Sequence, residues 1–374
     1  MVGIAKAAAA LVAAAALAAC AGPQLASGPG RDERAEAQPV FYPPLPNAPR
    51  IQYLTTIATA RDLALEKDSF SDFIVGKEKE ALGLAQPYGI ALHQGRLYVA
   101  DTGAGALAVF DLAQQRFSLF TGSGAGRLKR PINVRVDGDG SKYVTDTGRD
   151  QVLVYDRDDR YLRAYGVDKQ FRPVDVAIAG SRLYVVYVMH HQVHVLDKAS
   201  GRTLFKFCKA GSGECELFHP TNIAIGPDGD VYVVDTGNFR VQRFAADGLP
   251  RRTYGAVGTV PGSFARPKGL ALDRAGRLLV GDAAFQNVQI FDNSGKLLLY
   301  FGQADERNGG LNLPAGVSID YDNIASFRRF ADARFRIDYL ILVASQFGPN
   351  KVDVFAFGKM DGMDYPVESL PPAS

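Results

Sequence analysis

Short apolar runs separated by polar turns recur along most of the chain. Clear examples are Leu97–Ala100, Val231–Val234 and Leu340–Val343, and tight turns such as Gly138-Asp139-Gly140 separate neighbouring runs. Runs rich in Val, Ile, Tyr and Phe, bounded by Gly, Asp and Pro, are typical of β-strands. The pattern therefore predicts an all-β body built from many short strands.

The strand pattern is repeated. Prolines at positions 87, 131, 173, 220, 267 and 314, spaced 44, 42, 47, 47 and 47 residues apart, each open an apolar strand. The second strand of most copies ends in Asp, at Asp101, Asp146, Asp235 and Asp282. This period is typical of propeller blades. The copies predict a six-bladed β-propeller over residues 51–358.

The shared pattern is Pro-x-Gly/Asn, an apolar strand, Tyr-Val-x-Asp, Val-x-Val-Phe and a closing aromatic-Gly. The fourth copy shows it well, in Pro220-Thr221-Asn222, Tyr232-Val233-Val234-Asp235 and Tyr254-Gly255. The pattern resembles the NHL repeat, and the resemblance implies a propeller of the NHL type. The sixth copy departs from it, because its second strand lacks the Asp and Asp320 to Asp338 inserts a long polar and aromatic connection.

The ends of the repeat region bear on how the ring closes. An open fan of blades would leave two sheet edges exposed to unwanted pairing. The sixth copy ends after its third strand at Phe355–Gly358, and Ile51–Ile57 alternates like a strand ahead of the first copy. We therefore expect Ile51–Ile57 to supply the outer strand of blade six. The charged stretch from Asp62 to Leu84 is expected to form a short helix over one face.

The amino terminus differs from the rest of the chain. Lys6 leads into an Ala/Leu/Val run too short for a membrane span, typical of a signal peptide covering residues 1–19. The sequence Leu17-Ala18-Ala19-Cys20 resembles the lipobox of bacterial lipoproteins, which implies export, lipid on Cys20 and anchoring in the cell envelope. Ala21 after the Cys implies the outer membrane. Residues 20–50 are expected to be a proline-rich tether and residues 359–374 a tail.

The net charge bears on which partners the protein can bind, and the cysteine spacing bears on its redox chemistry. The formal net charge of +2 gives no electrostatic reason to expect nucleic acid, and export makes RNA an improbable partner even though some NHL propellers bind it through a basic face. Cys208 and Cys215 bracket a Gly-rich loop, so outside the cytoplasm they are expected to form a disulfide. A redox-active pair is the alternative.

Two motifs suggest catalysis or metal binding but have simpler interpretations. Asp-Thr-Gly at Asp101, Asp146 and Asp235 matches the aspartic-protease tripeptide, yet equivalent positions in a propeller face different sectors. These aspartates are therefore expected to order turns. Asp137–Ser141 resembles the start of a calcium loop, but Gly148 stands where the bidentate Glu belongs, which favours a hairpin turn.

The histidines suggest one further hypothesis, a zinc site. The fold resembles NHL-type amidating lyases, which hold zinc in the central channel with His ligands from separate blades. Here His190 and His219 could lie near one rim, but a zinc site needs about three protein ligands and no third is evident. We therefore predict no metal, no cofactor and no catalytic residue.

Loops that follow the second strands are the variable positions of the repeat, and such loops usually carry binding specificity. The predicted binding rim consists of Arg149, His190, His191, Asn238, Phe239, Arg240, Phe285, Gln286, Gln346 and Phe347. The sequence thus favours a lipid-anchored, non-catalytic scaffold that binds an envelope protein or a small ligand. The alternatives are a periplasmic metal-dependent lyase or lactonase of the propeller type, and a small-ligand sensor.

Overall fold

The computed structural model describes residues 39–63, 82–166, 172–305 and 308–365. The expected signal peptide, the lipidated Cys20 and most of the helix expected between Asp62 and Leu84 lie outside the described residues. Within them, no helix is long and apolar enough to cross a membrane.

Five antiparallel sheets of four strands form blades one to five. Blade one contains β3 (Pro87–His93), β4 (Arg96–Asp101), β5 (Ala106–Asp111) and β6 (Arg116–Phe120). Blade two contains β7 (Pro131–Val136), β8 (Lys142–Asp146), β9 (Gln151–Tyr155) and β10 (Tyr161–Tyr165). Blade three contains β11 (Pro173–Ala179), β12 (Arg182–Tyr187), β13 (Gln192–Asp197) and β14 (Thr203–Phe207).

A short parallel pair, β15 (Lys209–Ala210) and β16 (Glu216–Leu217), separates blades three and four. Blade four contains β17 (Pro220–Ile225), β18 (Val231–Asp235), β19 (Arg240–Phe244) and β20 (Pro250–Tyr254). Blade five contains β21 (Pro267–Leu272), β22 (Leu278–Asp282), β23 (Asn287–Phe291) and β24 (Leu297–Phe301). Single 3-10 turns occur at Ala60–Leu63, Gly124–Gly126, Thr236–Asn238 and Arg328–Phe330.

Blade six confirms the predicted closure. Its sheet runs in the order β1 (Phe41–Tyr42), β2 (Ile51–Ile57), β27 (Val352–Met360), β26 (Phe335–Ser345) and β25 (Pro314–Asp320). Strand β2 pairs antiparallel with β27 from Ile51 opposite Phe357 to Ile57 opposite Val352. The first and last parts of the propeller are therefore joined by main-chain hydrogen bonds within one sheet.

The six proline-led strands form the inner ring of the propeller. Each contacts the inner strand of the next blade, and β25 of blade six contacts β3 of blade one, which completes the six-bladed ring predicted from the sequence. Apolar side chains on the two faces of each sheet pack against the neighbouring blades. Between blades one and two, for instance, Tyr98 and Leu107 share a buried cluster with Val134 and Leu153. The core is thus divided into layers between blades.

The insertion in blade six covers the seam between blades six and one. It contains the one-turn helix α1 (Ile324–Phe327), and Phe327 and Phe335 are buried in the same apolar cluster as Leu97 of blade one and Leu340 of blade six. Phe41 of the added edge strand packs there as well, with its ring centre 5.9 Å from that of Phe335. The insertion therefore enlarges the core where the two ends of the ring meet.

The strand order gives the propeller two different ends. One end carries the loops between second and third strands and the connections between blades, and we call it the loop face. The other end carries the turns between first and second and between third and fourth strands, and we call it the turn face. The predicted binding rim belongs to the loop face by this topology.

Candidate functional site on the loop face

The aspartates of the repeat tie the loop face together. Asp146 is fully buried, and its carboxylate accepts hydrogen bonds from the backbone N–H groups of Lys129 (2.6 Å) and Arg130 (2.9 Å), which precede the inner strand. It also accepts from the N–H groups of Gly148 and Arg149 in the following loop. Asp101 and Asp282 make the same set of contacts. These three carboxylates lie in three different blades, and each accepts hydrogen bonds from backbone N–H groups.

Polar members of the predicted rim hold loops in place. Arg149 donates from Nη1 to the carbonyl of Arg127 at 2.8 Å. Asn238 and Arg240 both donate to the buried carboxylate of Asp235 at 2.8 Å. Arg240 reaches on to the carbonyls of Gly213 and Glu216, so it fastens the Cys208–Cys215 loop to blade four. These three side chains are committed to intramolecular contacts.

The other predicted rim residues differ in exposure. Phe239 adopts a left-handed conformation (φ 56°) and packs, half-buried, against the apolar cluster between blades four and five. Phe285 and Gln286 are half-buried, and Gln346 accepts a hydrogen bond from Lys268. Phe347 is exposed. The structure therefore does not bring the rim residues together as one uniform surface.

Blade three and the connection to blade four form a cluster of aromatic rings. The His191 ring stacks on Phe218 with a centroid distance of 5.5 Å and meets His219 edge-on at 5.2 Å. Its Nδ1 accepts the backbone N–H of His219 at 3.0 Å. Burial, and then the nearby His219, lower the pKa of His191. The described residues contain no group of three or more His, Cys, Asp or Glu side chains that could hold a metal ion.

The structure also shows a feature that the repeat pattern concealed. Among the described residues, six large apolar side chains on the loop face are exposed, namely Leu82, Met189, Phe218, Val257, Val260 and Phe347. Five others lie on outer strands of four different blades, and two, Leu45 and Leu249, lie on the turn face. Sequence reasoning missed Phe218, Val257 and Val260 because they lie in the connections between blades and not after second strands. Apolar residues in such surface connections were the available signal.

Cys208 and Cys215 lie side by side in the connection between blades three and four, half-buried against the apolar cluster that contains Phe207 and Leu217. Their sulfur atoms are 2.9 Å apart and both are thiols in the structure. Burial, together with the neighbouring thiol, raises the pKa of Cys208 above its ordinary value. The expected disulfide therefore remains a prediction, with the two side chains already adjacent.

The central channel contains a buried ion pair that the sequence analysis did not identify. Arg135 on the inner strand of blade two donates to Asp175 of blade three at 2.8 Å, and Asp175 is fully buried. The backbone N–H of Ile223 and the amide of Asn222, both in blade four, also donate to Asp175. Burial raises the pKa of Asp175 and Arg135 opposes that shift. Three blades are thereby linked across the channel.

Comparison with known proteins agrees with the repeat pattern. The sequence model of the NHL repeat matches residues 219–244. The chain is 29% identical over 133 residues to Protein brain tumor of Drosophila melanogaster, a match that covers 35% of this chain and 12% of that protein. It is 28% identical over 165 residues to NHL repeat-containing protein 3 of Homo sapiens, covering 38% of this chain and 45% of that protein. The chain therefore spans less than half the length of these relatives.

Solved structures with the same architecture have low sequence identity to this chain. A structural genomics protein of unknown function from Bacteroides thetaiotaomicron superposes with a TM-score of 0.59 at 15% identity, covering 81% of this chain and 75% of that one. A gluconolactonase from Xanthomonas campestris superposes with a TM-score of 0.54 at 16% identity, covering 84% and 91%. Similarity at this level shows the fold alone. The chain is a six-bladed β-propeller that carries an NHL repeat.

Proposed function

We propose that the chain is a lipid-anchored protein of the bacterial cell envelope whose loop face binds a partner protein. The observation that carries this proposal is the set of exposed apolar side chains on that face. Met189, Phe218, Val257, Val260 and Phe347 follow one another around blades three to six, and each is 45 to 69% exposed. Exposed apolar side chains gathered on one surface are a mark of an interaction site.

The composition of the loop face suits a protein partner. Aromatic residues, Met and Arg are enriched in protein interfaces. Besides the apolar set, the residues just before three of the inner-strand prolines are exposed arginines, Arg130, Arg172 and Arg266. A partner surface with an apolar centre and acidic residues at its edge would complement this arrangement.

The envelope location is supported by the amino-terminal sequence. The apolar run, the lipobox-like Leu17-Ala18-Ala19-Cys20 and the proline-rich stretch after it are features of exported, lipidated proteins. A lipid anchor with more than one acyl chain holds a protein stably at a membrane. Two measurements test this part. The mass of the purified amino-terminal peptide should show acyl groups in the parent and none in a Cys20→Ala chain. The Cys20→Ala chain should also leave the membrane fraction.

Copurification after mild crosslinking tests the partner, using the lipidated protein extracted from its own membranes. We expect a specific protein to copurify with the parent and to be lost from a chain carrying Met189→Ser, Phe218→Ser and Phe347→Ser. The matched control is Leu249→Ser, because Leu249 is 62% exposed on the turn face. A partner retained by the triple variant, or lost from the control, would contradict the assignment of the loop face.

A further inference from the structure

We infer that the loop-face mouth of the central channel is a binding site for a small organic monocarboxylate, with Lys268 as its main cationic contact. The site is formed by the beginnings of the inner strands of blades five, six and one. It goes beyond the proposed partner protein and does not depend on it.

Three blades converge on the amine of Lys268. Lys268, Ala315 and Tyr88 hold the second position of the inner strand in blades five, six and one. Because Ala315 is small, Lys268 reaches across blade six, and its Nζ lies 5.0 Å from the centre of the Tyr88 ring. Gly316 lets the inner strands of blades six and one lie close together here, since a Cβ atom there would lie 2.2 Å from the Tyr88 carbonyl oxygen.

The positive charge at this point has no counter-ion among the described residues. Lys268 is only 8% exposed, and its Nζ makes one hydrogen bond, to Oε1 of Gln346 at 3.2 Å. No carboxylate in the described part of the chain pairs with Lys268 or with the exposed Arg266 beside it. Burial, and then Arg266, lower the pKa of Lys268 to about 8. A buried, unpaired ammonium is costly, so an anion bound here would be stabilised by it.

The remaining residues of the mouth indicate what kind of anion fits. The second positions in blades two, three and four are Ile132, Val174 and Thr221, so the opposite side offers mainly apolar contact. Below them Asp175 is already paired with Arg135 at 2.8 Å. Among the described residues at these second positions, Lys268 is therefore the one cation, while Arg130 and Arg172 lie further out on the exposed rim. The Tyr88 ring adds an aromatic wall. One carboxylate attached to a compact apolar body matches this distribution of charge and apolar surface.

Calorimetric titration of the full-length chain with benzoate tests the site, and benzamide serves as the neutral analogue of the same shape. We expect benzoate to bind the parent and the Lys296→Met control alike, since Lys296 is exposed on the turn face of blade five. Binding to Lys268→Met, and binding of benzamide to the parent, should each be weaker by at least about tenfold.

The pH dependence provides an independent readout. The amine of Lys268 must be protonated to pair with a carboxylate, and in the free protein it is faced by Arg266, Tyr88 and the neutral Gln346, with Asp175 beyond Tyr88. Benzoate affinity should therefore be constant between about pH 5.5 and about pH 7, where the carboxylate is ionised and the amine is protonated, and fall as the pH rises through about 8. The Lys268→Met chain should show no such fall.

The melting temperature shows whether Lys268→Met loses only the binding site or the fold as well. Lys268→Met removes a buried charge without a counter-ion, so its melting temperature should be no lower than that of the parent. The inference is overturned if millimolar benzoate produces no binding heat with the parent, or if Lys268→Met binds it equally well. Tighter binding of inorganic phosphate than of benzoate to the parent would overturn the carboxylate assignment. Absence of a copurifying protein would bear on the proposed function and leave these results unaffected.

Discussion

The turn face and the loop face of this propeller are built from the same repeat but differ in how their polar groups are used. On the turn face, aspartates accept hydrogen bonds from the backbone N–H groups of their own turns. Asp156, for example, accepts the backbone N–H groups of Asp158 and Arg160 at 2.9 and 2.8 Å. On the loop face, buried aspartates such as Asp146 hold two separate segments together, while apolar and basic side chains around them remain exposed.

This difference indicates which face can change its outer side chains without loss of stability. A turn that satisfies its own polar groups contributes to folding and presents a hydrated surface. The loop face is fastened from beneath by its buried aspartates, so its outer side chains are free to vary. A rigid base with variable outer residues is the arrangement on which binding surfaces are usually built.

The largest expected effect separates the two kinds of aspartate. Asp146→Ala leaves four backbone N–H groups without their acceptor, and we expect it to lower the free energy of unfolding by about 3 kcal/mol. Asp156→Ala releases two N–H groups that can turn to water, so about 1 kcal/mol is expected. Denaturant unfolding measures both. Equal losses would show that the repeat aspartates have no special role on the loop face.

Acid should act on the interior of blade three and on the turn face through different groups. Burial lowers the pKa of His194 from 6.5 to about 4, so between these values the unfolded chain binds protons more readily than the folded one. The stability that neutral His194 contributes is present above pH 6.5 and is lost as the pH falls toward 4, about 2 kcal/mol once solvent screening is allowed for.

The turn face should respond only in stronger acid. Hydrogen bonds from Ser141 and Ser200 lower the pKa values of Asp139 and Asp197, so their contribution is lost only below the ordinary value of 3.8. The control is His194→Gln, because Gln242 and Gln289 hold the equivalent position in blades four and five. Stability measured from pH 7 to pH 4.5 should fall in the parent and change less in this variant. The same slope in both would contradict the assignment to His194.

Oxidation of Cys208 and Cys215 should stabilise the loop face. A disulfide closing this short loop is expected to raise the free energy of unfolding by about 2 kcal/mol. Melting temperatures with and without reductant measure the effect, and the Cys208→Ser, Cys215→Ser chain should show none. If reductant leaves the parent unchanged while thiol assays find both groups free, the predicted disulfide is wrong.

The sequence predicted the repeating scaffold well and the binding surface poorly, for a physical reason. Blade number and the closure by Ile51–Ile57 depend on strand alternation and period, which are local and repeated. The contact between His191 and Phe218 joins blade three to the connection that follows it, and the pairing of Arg135 with Asp175 joins two blades. Such contacts depend on how neighbouring blades pack. Half-burial of Phe239 likewise follows from an adjoining blade and not from its place in the repeat.

The smallest expected effect on stability is also the control for binding. Phe347→Ser and Leu249→Ser each remove an exposed side chain, so each should change the free energy of unfolding by less than about 0.5 kcal/mol. Chemical denaturation checks this. A larger loss for Phe347→Ser would mean that Phe347 supports the fold, and its effect on partner binding could then not be read directly.

Photo-crosslinking in native membranes tests the central claim most directly. A photoreactive phenylalanine analogue is placed at Phe347 on the loop face in one chain and at Leu249 on the turn face in another, both being more than half exposed. If the loop face binds a partner, irradiation should give a discrete higher-mass adduct from position 347 and none from position 249. The same adduct from both positions, or an adduct from position 249 alone, would contradict the assignment of binding to the loop face.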